Sequence, residues 1–443
     1  MSIFRSRRST APVLVIGAGA AGLAAAAALT AAGRDVVVLE ARDRIGGRVA
    51  TERSFAPVPV KLGAELLHGS TISTWRLVEA AGIGTWPLGL THERASDGGW
   101  VLSGAGREHI GVAADAPAPA PGEDVASYLE RSGFTPPDVP IGARMFDIDS
   151  EGLERWSATL ALESGLLAAG RDRRGDDHHL DGGYDQLLAV LAGDLDIRLG
   201  HRVVRIVRTA SGVQVTVEVG GERHTLTADQ CVVTLPIGVL RSGTVHFEPP
   251  LPPAKQRAID GLGSGDAIKL VYHLPHPVFP SGHATLHDPG LLPSSWWVAT
   301  RGLPGVRGAG SLADEIVVGW ATGDDARVLL DAGLGDALAM GLSALRELTG
   351  HPALEPLAAT SYDWRSDPFA AGAYSYVPPG AEDAYEQLAA PTDGRIFWAG
   401  EATNPEDPMT VHGALDSGWR AAEQLTGRSI AIPTAAGRPP TNR

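Results

Sequence analysis

The sequence predicts an α/β protein of two lobes. The first is doubly wound, with a largely parallel sheet assembled from discontinuous segments; the second has a mixed sheet and covering helices. Three observations carry this. A strand–glycine turn–helix–strand pattern occupies residues 13–39. From residue 197 onward the apolar pattern has the short period of β-strands. The chain, at 443 residues, is also far longer than one small core needs.

Each element follows from local chemistry. Val13-Leu14-Val15-Ile16 is a continuous apolar run of strand length, as expected for a strand buried on both faces. An Ala/Leu helix runs from the glycine turn to about residue 32, Gly33 stops it, and residues 36–39 form the next strand. Residues 111–140, rich in Pro, Ala and Gly, read as an irregular connection or lid, and helical texture returns at 152–169. Strands are expected at 197–199, 203–207, 213–219, 230–235, 269–272 and 316–320, with a hairpin at Gly220-Gly221. A strand at 396–399 leads through a Gly/Glu/Asn/Pro loop to a helix at about 413–425, and residues after 428 read as a disordered tail. The expected division is 11–90, 181–262 and 390–428 for the first lobe, and 91–180 and 263–389 for the second.

Composition narrows the function. The formal charge of −15 leaves no electrostatic footprint for nucleic acid. The single cysteine, Cys231, excludes an intrachain disulfide and a Cys-rich metal site, and its apolar strand makes it a buried structural thiol. No signal-peptide h-region precedes the first strand, and the Ala-rich run at 20–32 is too short to span a bilayer. A cytoplasmic protein with no membrane partner is the expectation.

Gly17-x-Gly19-x-x-Gly22 lies between strand and helix, where the Rossmann-like fingerprint requires it. The first glycine allows the tight turn, the second lets backbone approach a pyrophosphate, and the third lets helix pack on strand. With Ala21, this turn opens a helix whose free N–H groups suit phosphate. Glu40 ends the second strand, where a carboxylate can bind ribose hydroxyls. The register of all these parts points to a dinucleotide.

The extension Glu40-Ala41-Arg42-Asp43-Arg44-Ile45-Gly46-Gly47-Arg48 resembles the signature of the flavin amine oxidase family, and so indicates FAD. Four further stretches resemble that family in the right order. They are Leu62-Gly63-Ala64-Glu65 with His68-Gly69; Val203-x-x-Ile206 with Val232–Pro236; Trp364 with Gly372-Ala373-Tyr374-Ser375-Tyr376; and Ala399-Gly400-Glu401 with Thr410-Val411-His412-Gly413. The resemblance implies an amine oxidase fold, in which Gly47 and Arg48 meet the cofactor and Gly63, Ala64 and Glu65 lie beside its ring. It further implies that Val203 serves the adenine side, and that Gly400, Glu401, Thr410 and Val411 return to the flavin. In members that attach FAD covalently, a cysteine precedes the pocket tyrosine. Here that position is Ala373, so FAD is expected to bind non-covalently.

Lys269 stands out in Ile268-Lys269-Leu270-Val271, because burying an ammonium among aliphatics is costly; an edge lysine snorkelling to solvent is the alternative. By resemblance it holds a water near the flavin. Trp364 and Tyr374 are expected to wall the substrate pocket, with Thr410 standing where many members carry a second ring. Glu65 is a candidate base or cation ligand, and His68 a substrate neighbour. Arg327 and Tyr184 are more distant candidates for the reaction. The implied reaction removes a hydride from carbon next to nitrogen of a small amine or amide, with O2 as the second substrate and a homodimer left open. A polyamine or monoamine is the default substrate, a histone-like peptide is disfavoured, and a bulky amine or amide of antibiotic biosynthesis is the third reading. A C–C desaturase and a non-enzymatic binding module remain as other classes. No GxSxG, HExxH or CxxC competes, and no metal site is expected.

Overall fold

A computed structural model describes residues 11–69, 72–89, 91–95, 98–102, 112, 116–134, 152–163, 177–280, 282–300 and 314–430. The first lobe is organised by a five-stranded parallel sheet in the order Asp196–Arg198, Val36–Leu39, Val13–Ile16, Cys231–Val233, Ile396–Trp398. Successive side chains of a strand point to opposite faces. Val13, Val15, Val38 and Val232 therefore join the core shared with the helices, while Leu14, Ile16, Val37 and Val233 join a second core. That second core lies against the four-stranded sheet Glu222–Ala228, Gly212–Val219, Arg202–Thr209, His246–Glu248. Burial on both faces is why the sequence run was apolar at every position.

The helix Ala20–Ala31 is buried along most of its surface and packs along the C-terminal helix Val411–Thr426. Small residues make this contact close. A Cβ on Gly418 would stand 2.3 Å from the Ala21 carbonyl oxygen and 2.9 Å from the Ala24 Cβ. The start and end of the chain are thereby joined on one face of the sheet. Lys255, itself buried, donates to the carbonyls of Gln387, Leu388 and Ala390 and so ties off the helix Ala384–Ala389.

The second lobe holds a seven-stranded sheet ordered Ala358–Ser361, Ala267–Leu274, Glu315–Thr322, Ser295–Val298, Thr285–His287, Thr91–Arg94, Trp100–Leu102. Helices Gly323–Ala332 and Leu334–Thr349 cover the face that carries Ile268, Leu270, Tyr272 and Leu274. The opposite face carries Val271, Trp297 and Val318 and packs against Val60 and Leu62. Lys269, two residues from Val271, belongs to this second face, and it lies opposite Trp320 in the ladder.

Several expectations need adjusting. Residues 116–134 are not wholly irregular: Val125–Arg131 is a helix, with the Asp124 carboxylate accepting from the Ser127 amide at 2.9 Å. The strand Glu222–Ala228 carries charged and polar side chains on its exposed face, which hid it from an apolar reading. His178–Leu180 pairs with Leu66–Leu67 and Thr85–Pro87, and Val377, Ala384, Tyr385 and Leu388 pack into a first-lobe core; both segments had been placed in the second lobe. Of the expected tail, Ile430 donates its N–H to Glu423 at 2.9 Å, while 431–443 lie outside the described residues. Pro136-Pro137 and residues 164–169 also lie outside them. No described helix is long and apolar enough to cross a membrane.

The helix contact at Gly418 yields a test. A Gly418→Val chain must push backbone apart, because the nearest atom is a carbonyl oxygen with no room to move. Its urea midpoint should fall by the equivalent of about 3 kcal/mol, the upper end of overpacking costs. An unchanged midpoint would show that the two helices are not in this contact.

Candidate functional site

The glycine turn is shaped by three different constraints. Gly17 has φ +106° and a Cβ there would stand 2.5 Å from Thr234 Oγ1. A Cβ on Gly22 would stand 1.9 Å from the Gly17 carbonyl oxygen, so the helix can pack on the turn only without it. Gly19 is different: its Cβ would meet protein no closer than 4.0 Å. Protein packing does not require glycine there, whereas close approach of a pyrophosphate does. The helix Ala20–Ala31 has no side-chain cap, so its first N–H groups suit an anion. Glu40 accepts from the amides of Ala18 at 2.7 Å and Arg42 at 2.9 Å, which uses about half of a carboxylate's acceptor positions. Ala41 follows it, half-buried. These residues fit the ADP half of FAD.

The neighbouring arginines divide the work. Arg44 bonds the carbonyls of Ile45, Gly47 and Val49 and so fixes the Gly46-Gly47 loop. Arg42, expected at the cofactor, is engaged elsewhere: its guanidinium grips Asp367 through two bonds, at 2.7 and 2.8 Å, which the phosphates would have to break. Arg48 spends Nη1 on the Ala373 carbonyl at 2.8 Å and Glu401 at 3.0 Å. Its other nitrogens make no bond among the described residues and suit a phosphate.

Glu401 is an interior acid, not a solvated one. Buried, it accepts from Arg48, from Ser375 Oγ at 2.6 Å, from the Ser375 amide and from the Met409 amide at 3.1 Å. Its lone pairs are spent on holding together the arginine, the strand Tyr374–Tyr376 and the turn before Thr410. Thr410 caps the last helix, donating to the Asp407 carbonyl and accepting from the Gly413 amide. Gly400, at φ +131° with no protein atom within 4 Å of its Cβ position, leaves an open approach beside this helix start, where half-buried Val411 begins the first turn. Val203 is buried beside an irregularity between Val203 and Arg205 that interrupts the ladder.

Lys269 stands at the meeting of the lobes. It is 6% exposed, and its three N–H groups have three acceptors: the carbonyls of Lys61 (3.2 Å) and Gly63 (2.8 Å) and Glu65 Oε2 (2.6 Å). A water at this ammonium would have to displace one of them, which changes the water-holding role implied by resemblance. Glu65 Oε1 faces Trp297 Nε1 at 3.2 Å and His179 Nδ1 at 3.4 Å. Burial alone would raise Glu65's pKa, but Lys269, His179 and Lys61 together hold it far below the carboxylate range. Glu65 is therefore a poor proton acceptor, and its first role is to balance Lys269. Gly63 is required here, since a Cβ would stand 1.9 Å from the Arg48 carbonyl oxygen and 3.1 Å from the Trp364 ring. Ala64 donates its amide to Arg48, and Trp364 donates Nε1 to Leu62 at 3.1 Å.

The structure brings together Gly63, Ala64, Glu65, Lys269 and Trp364, with Arg48, Ala373, Tyr374 and Glu401 adjoining through the Glu401 contacts. Three other candidates have partners outside this group. Tyr184 is a core residue of the first lobe, 1% exposed, and burial raises its phenol's pKa. Arg327 is ion-paired to Asp324 and, at 3.6 Å, to Asp266. His68 pairs with Asp177 at 3.2 Å and is about one third exposed. Sequence reading missed Lys61, His179 and Trp297. Lys61, in Val60-Lys61-Leu62, carries the same signal that singled out Lys269: a lysine in an apolar strand. Cys231 is buried in the parallel sheet with its thiol pushed up to about 12, which excludes it as a flavin tether. Among the described residues, no cluster of His, Cys, Asp or Glu is arranged to hold a metal ion.

Comparison with known proteins gives the following. A family model described as flavin containing amine oxidoreductase matches residues 113–426, and one for a NAD(P)-binding Rossmann-like domain matches 15–81. Polyamine oxidase 3 of Oryza sativa subsp. japonica is 33% identical over 461 residues, covering 96% of this chain and 91% of its own. Lysine-specific histone demethylase 1B of Mus musculus is 31% identical across 93% of this chain, which spans about half (52%) of that relative. Putrescine oxidase, solved with putrescine bound, superposes with a TM-score of 0.78 at 21% identity, covering 95% of this chain and 99% of that one. Cyclohexylamine oxidase from Brevibacterium oxydans gives 0.76 at 21%, with 94% and 99% covered. At that identity the shared property is the fold.

Folding lowers the pKa of Glu65, so the folded chain binds fewer protons than the unfolded one near its ordinary value of 4.5. The pair's stabilisation is complete above that pH and is lost as pH falls below it. Glu65→Gln should therefore cost about 3–5 kcal/mol at neutral pH, with the difference from the parent shrinking below pH ~4.5. Denaturant titrations across pH measure it, and a pH-independent difference would contradict the ion pair.

Proposed function

The chain belongs to the flavin-containing amine oxidoreductase family, and from that premise we propose that it removes a hydride from a carbon bearing nitrogen, leaving an imine or iminium, at a site centred on Lys269. The observation that carries the siting is the buried Lys269–Glu65 pair, framed by Trp297, Trp320 and the Gly63–Trp364 contact. FAD, when bound, supplies the two-electron redox chemistry that no side chain here possesses, with O2 as acceptor and hydrogen peroxide as by-product in this reading.

The chain's own residues have four tasks. The glycine turn, Glu40 and the unspent nitrogens of Arg48 would hold the ADP half of the cofactor. Glu401 keeps Arg48, the strand of Tyr374 and the last helix in one arrangement. Trp364 and Tyr374 would position the reacting nitrogen and keep water away. Lys269 holds protons at one fixed point, bonded on three sides, where a proton can be passed without the ammonium moving. Thr410 favours a second substrate within the same reaction, a bulky amide, because its hydroxyl is spent on the helix cap and no ring stands there.

Purified protein should show the visible absorbance of oxidised flavin, and anaerobic mixing with an amine or amide should bleach it. Absence of flavin would favour a binding module, and bleaching only by a C–C substrate would favour a desaturase. Lys269→Met should slow turnover by about 10²-fold or more with FAD retained. Because it strands the Glu65 charge, the paired variant Lys269→Met/Glu65→Leu is the control: it should regain stability and not rate. Recovery of both would make Lys269 a structural residue.

A further inference from the structure

The loop that carries Trp364 is held by a buried acid, Asp367. Its residue is 7% exposed, and its carboxylate accepts four bonds, which fills the acceptor positions of both oxygens. Arg42 Nη2 and the Phe369 amide donate to Oδ1, each at 2.8 Å. Arg42 Nη1, at 2.7 Å, and the Tyr362 hydroxyl donate to Oδ2. The Arg42 guanidinium also lies over the Phe369 ring, 5.3 Å from its centroid. Backbone bonds close the same loop. The Asp367 carbonyl accepts from the amides of Ala370 and Ala371 at 3.2 and 2.8 Å, and Gly372 donates to the Trp364 carbonyl at 2.9 Å.

From this acid a chain of contacts reaches Lys269. Tyr362, one of the four donors, sets its ring 4.5 Å from that of Trp364. Trp364, 5% exposed, donates Nε1 to the Leu62 carbonyl at 3.1 Å. The carbonyls on either side, those of Lys61 and Gly63, accept from Lys269. Three successive carbonyls are thus held by two side chains, and a displaced Trp364 would release the middle one. Its ring also closes on Gly63, where a Cβ would stand 3.1 Å away. Arg42 follows the strand of the dinucleotide turn, so Asp367 joins that segment to the pocket wall.

We propose that Asp367 is a positioning residue for the reaction: by clamping the 362–372 loop to Arg42, it fixes Trp364 against Leu62 and Gly63 and so sets how the reacting nitrogen is held. The proposal rests on the reading that the amine or amide reacts beside Trp364 and Lys269. An amide in place of the carboxylate cannot serve. Each oxygen accepts from two donors, so either orientation of an Asn side chain turns its NH2 toward two other donors.

The test is a cycle of four holoenzymes: parent, Asp367→Asn, Trp364→Leu and the double variant. Flavin reduction is followed anaerobically with butylamine, putrescine and N-butylacetamide as probes. Asp367→Asn should slow the limiting reduction at least ~10-fold in the parent, but less than ~2-fold once Trp364 is Leu. Equal slowing in both backgrounds overturns the proposal. So does a lowered melting temperature with unchanged reduction, which marks a merely structural acid. If Asp367→Asn fails to retain FAD, Tyr362→Phe takes its place, since it leaves Arg42 paired and the ring beside Trp364. That variant should show a smaller slowing in the same direction, and no slowing overturns the proposal. If no probe reduces the parent flavin, the oxidase reading fails, and denaturant midpoints of the same cycle decide the link from Asp367 to Trp364: additive shifts overturn it, and non-additive shifts support it.

Discussion

An ammonium group removed from water must find acceptors for all its protons and a countercharge, or it will not remain charged. Lys269 finds both in one short loop: two carbonyls from residues 61 and 63 and the carboxylate of Glu65. Those partners belong to the segment that follows the cofactor signature, whereas Lys269 belongs to a strand some two hundred residues later. The pair therefore fixes the seven-stranded sheet against the glycine-rich lobe and places the charge at their junction. Its energetic worth lies in specificity of arrangement. A buried pair seldom adds much net stability, but breaking one side of it is expensive.

A second buried carboxylate repeats this logic a short distance along the chain's contacts. Glu401 draws Arg48, the strand of Tyr374 and the turn before the last helix onto one group, and Arg48 in turn meets the carbonyl of Ala373. The arginine that would meet phosphate and the tyrosine that would meet substrate are thus neighbours through one acid. The two clusters meet at Gly63, whose missing side chain admits both the Arg48 backbone and the Trp364 ring. The site is a set of close approaches held by paired charges, which leaves few donors or acceptors unspent.

Legibility varied with the range of the signal. The glycine turn, its helix and Glu40 were readable because strand burial, tight turning and helix packing act within about thirty residues and leave composition marks. The parallel strand order was not readable, since Ile396–Trp398 and Cys231–Val233 are joined to Val13–Ile16 by registers that no local pattern encodes. Arg42 and Tyr184 looked chemical in sequence and became a lobe-joining ion pair and a core phenol. Lys61, a lysine in an apolar strand like Lys269, is buried with its carbonyl bonded by Lys269. The difference is the partner: a charge's role depends on what faces it, and Asp367 faces Arg42, as Glu65 faces Lys269, from a distant segment.

By itself, then, the sequence determined the dinucleotide turn, the FAD extension, the family and the reaction class, because each rests on residues close together in the chain or on motifs in fixed order. It also determined that no cysteine precedes Tyr374. Only the tertiary structure decided that Glu65 pairs with Lys269 and that Glu401 is a buried clamp. The physical reason is that covalent order sets local conformation, whereas pairing of buried charges is settled by which segments the fold brings within hydrogen-bond distance.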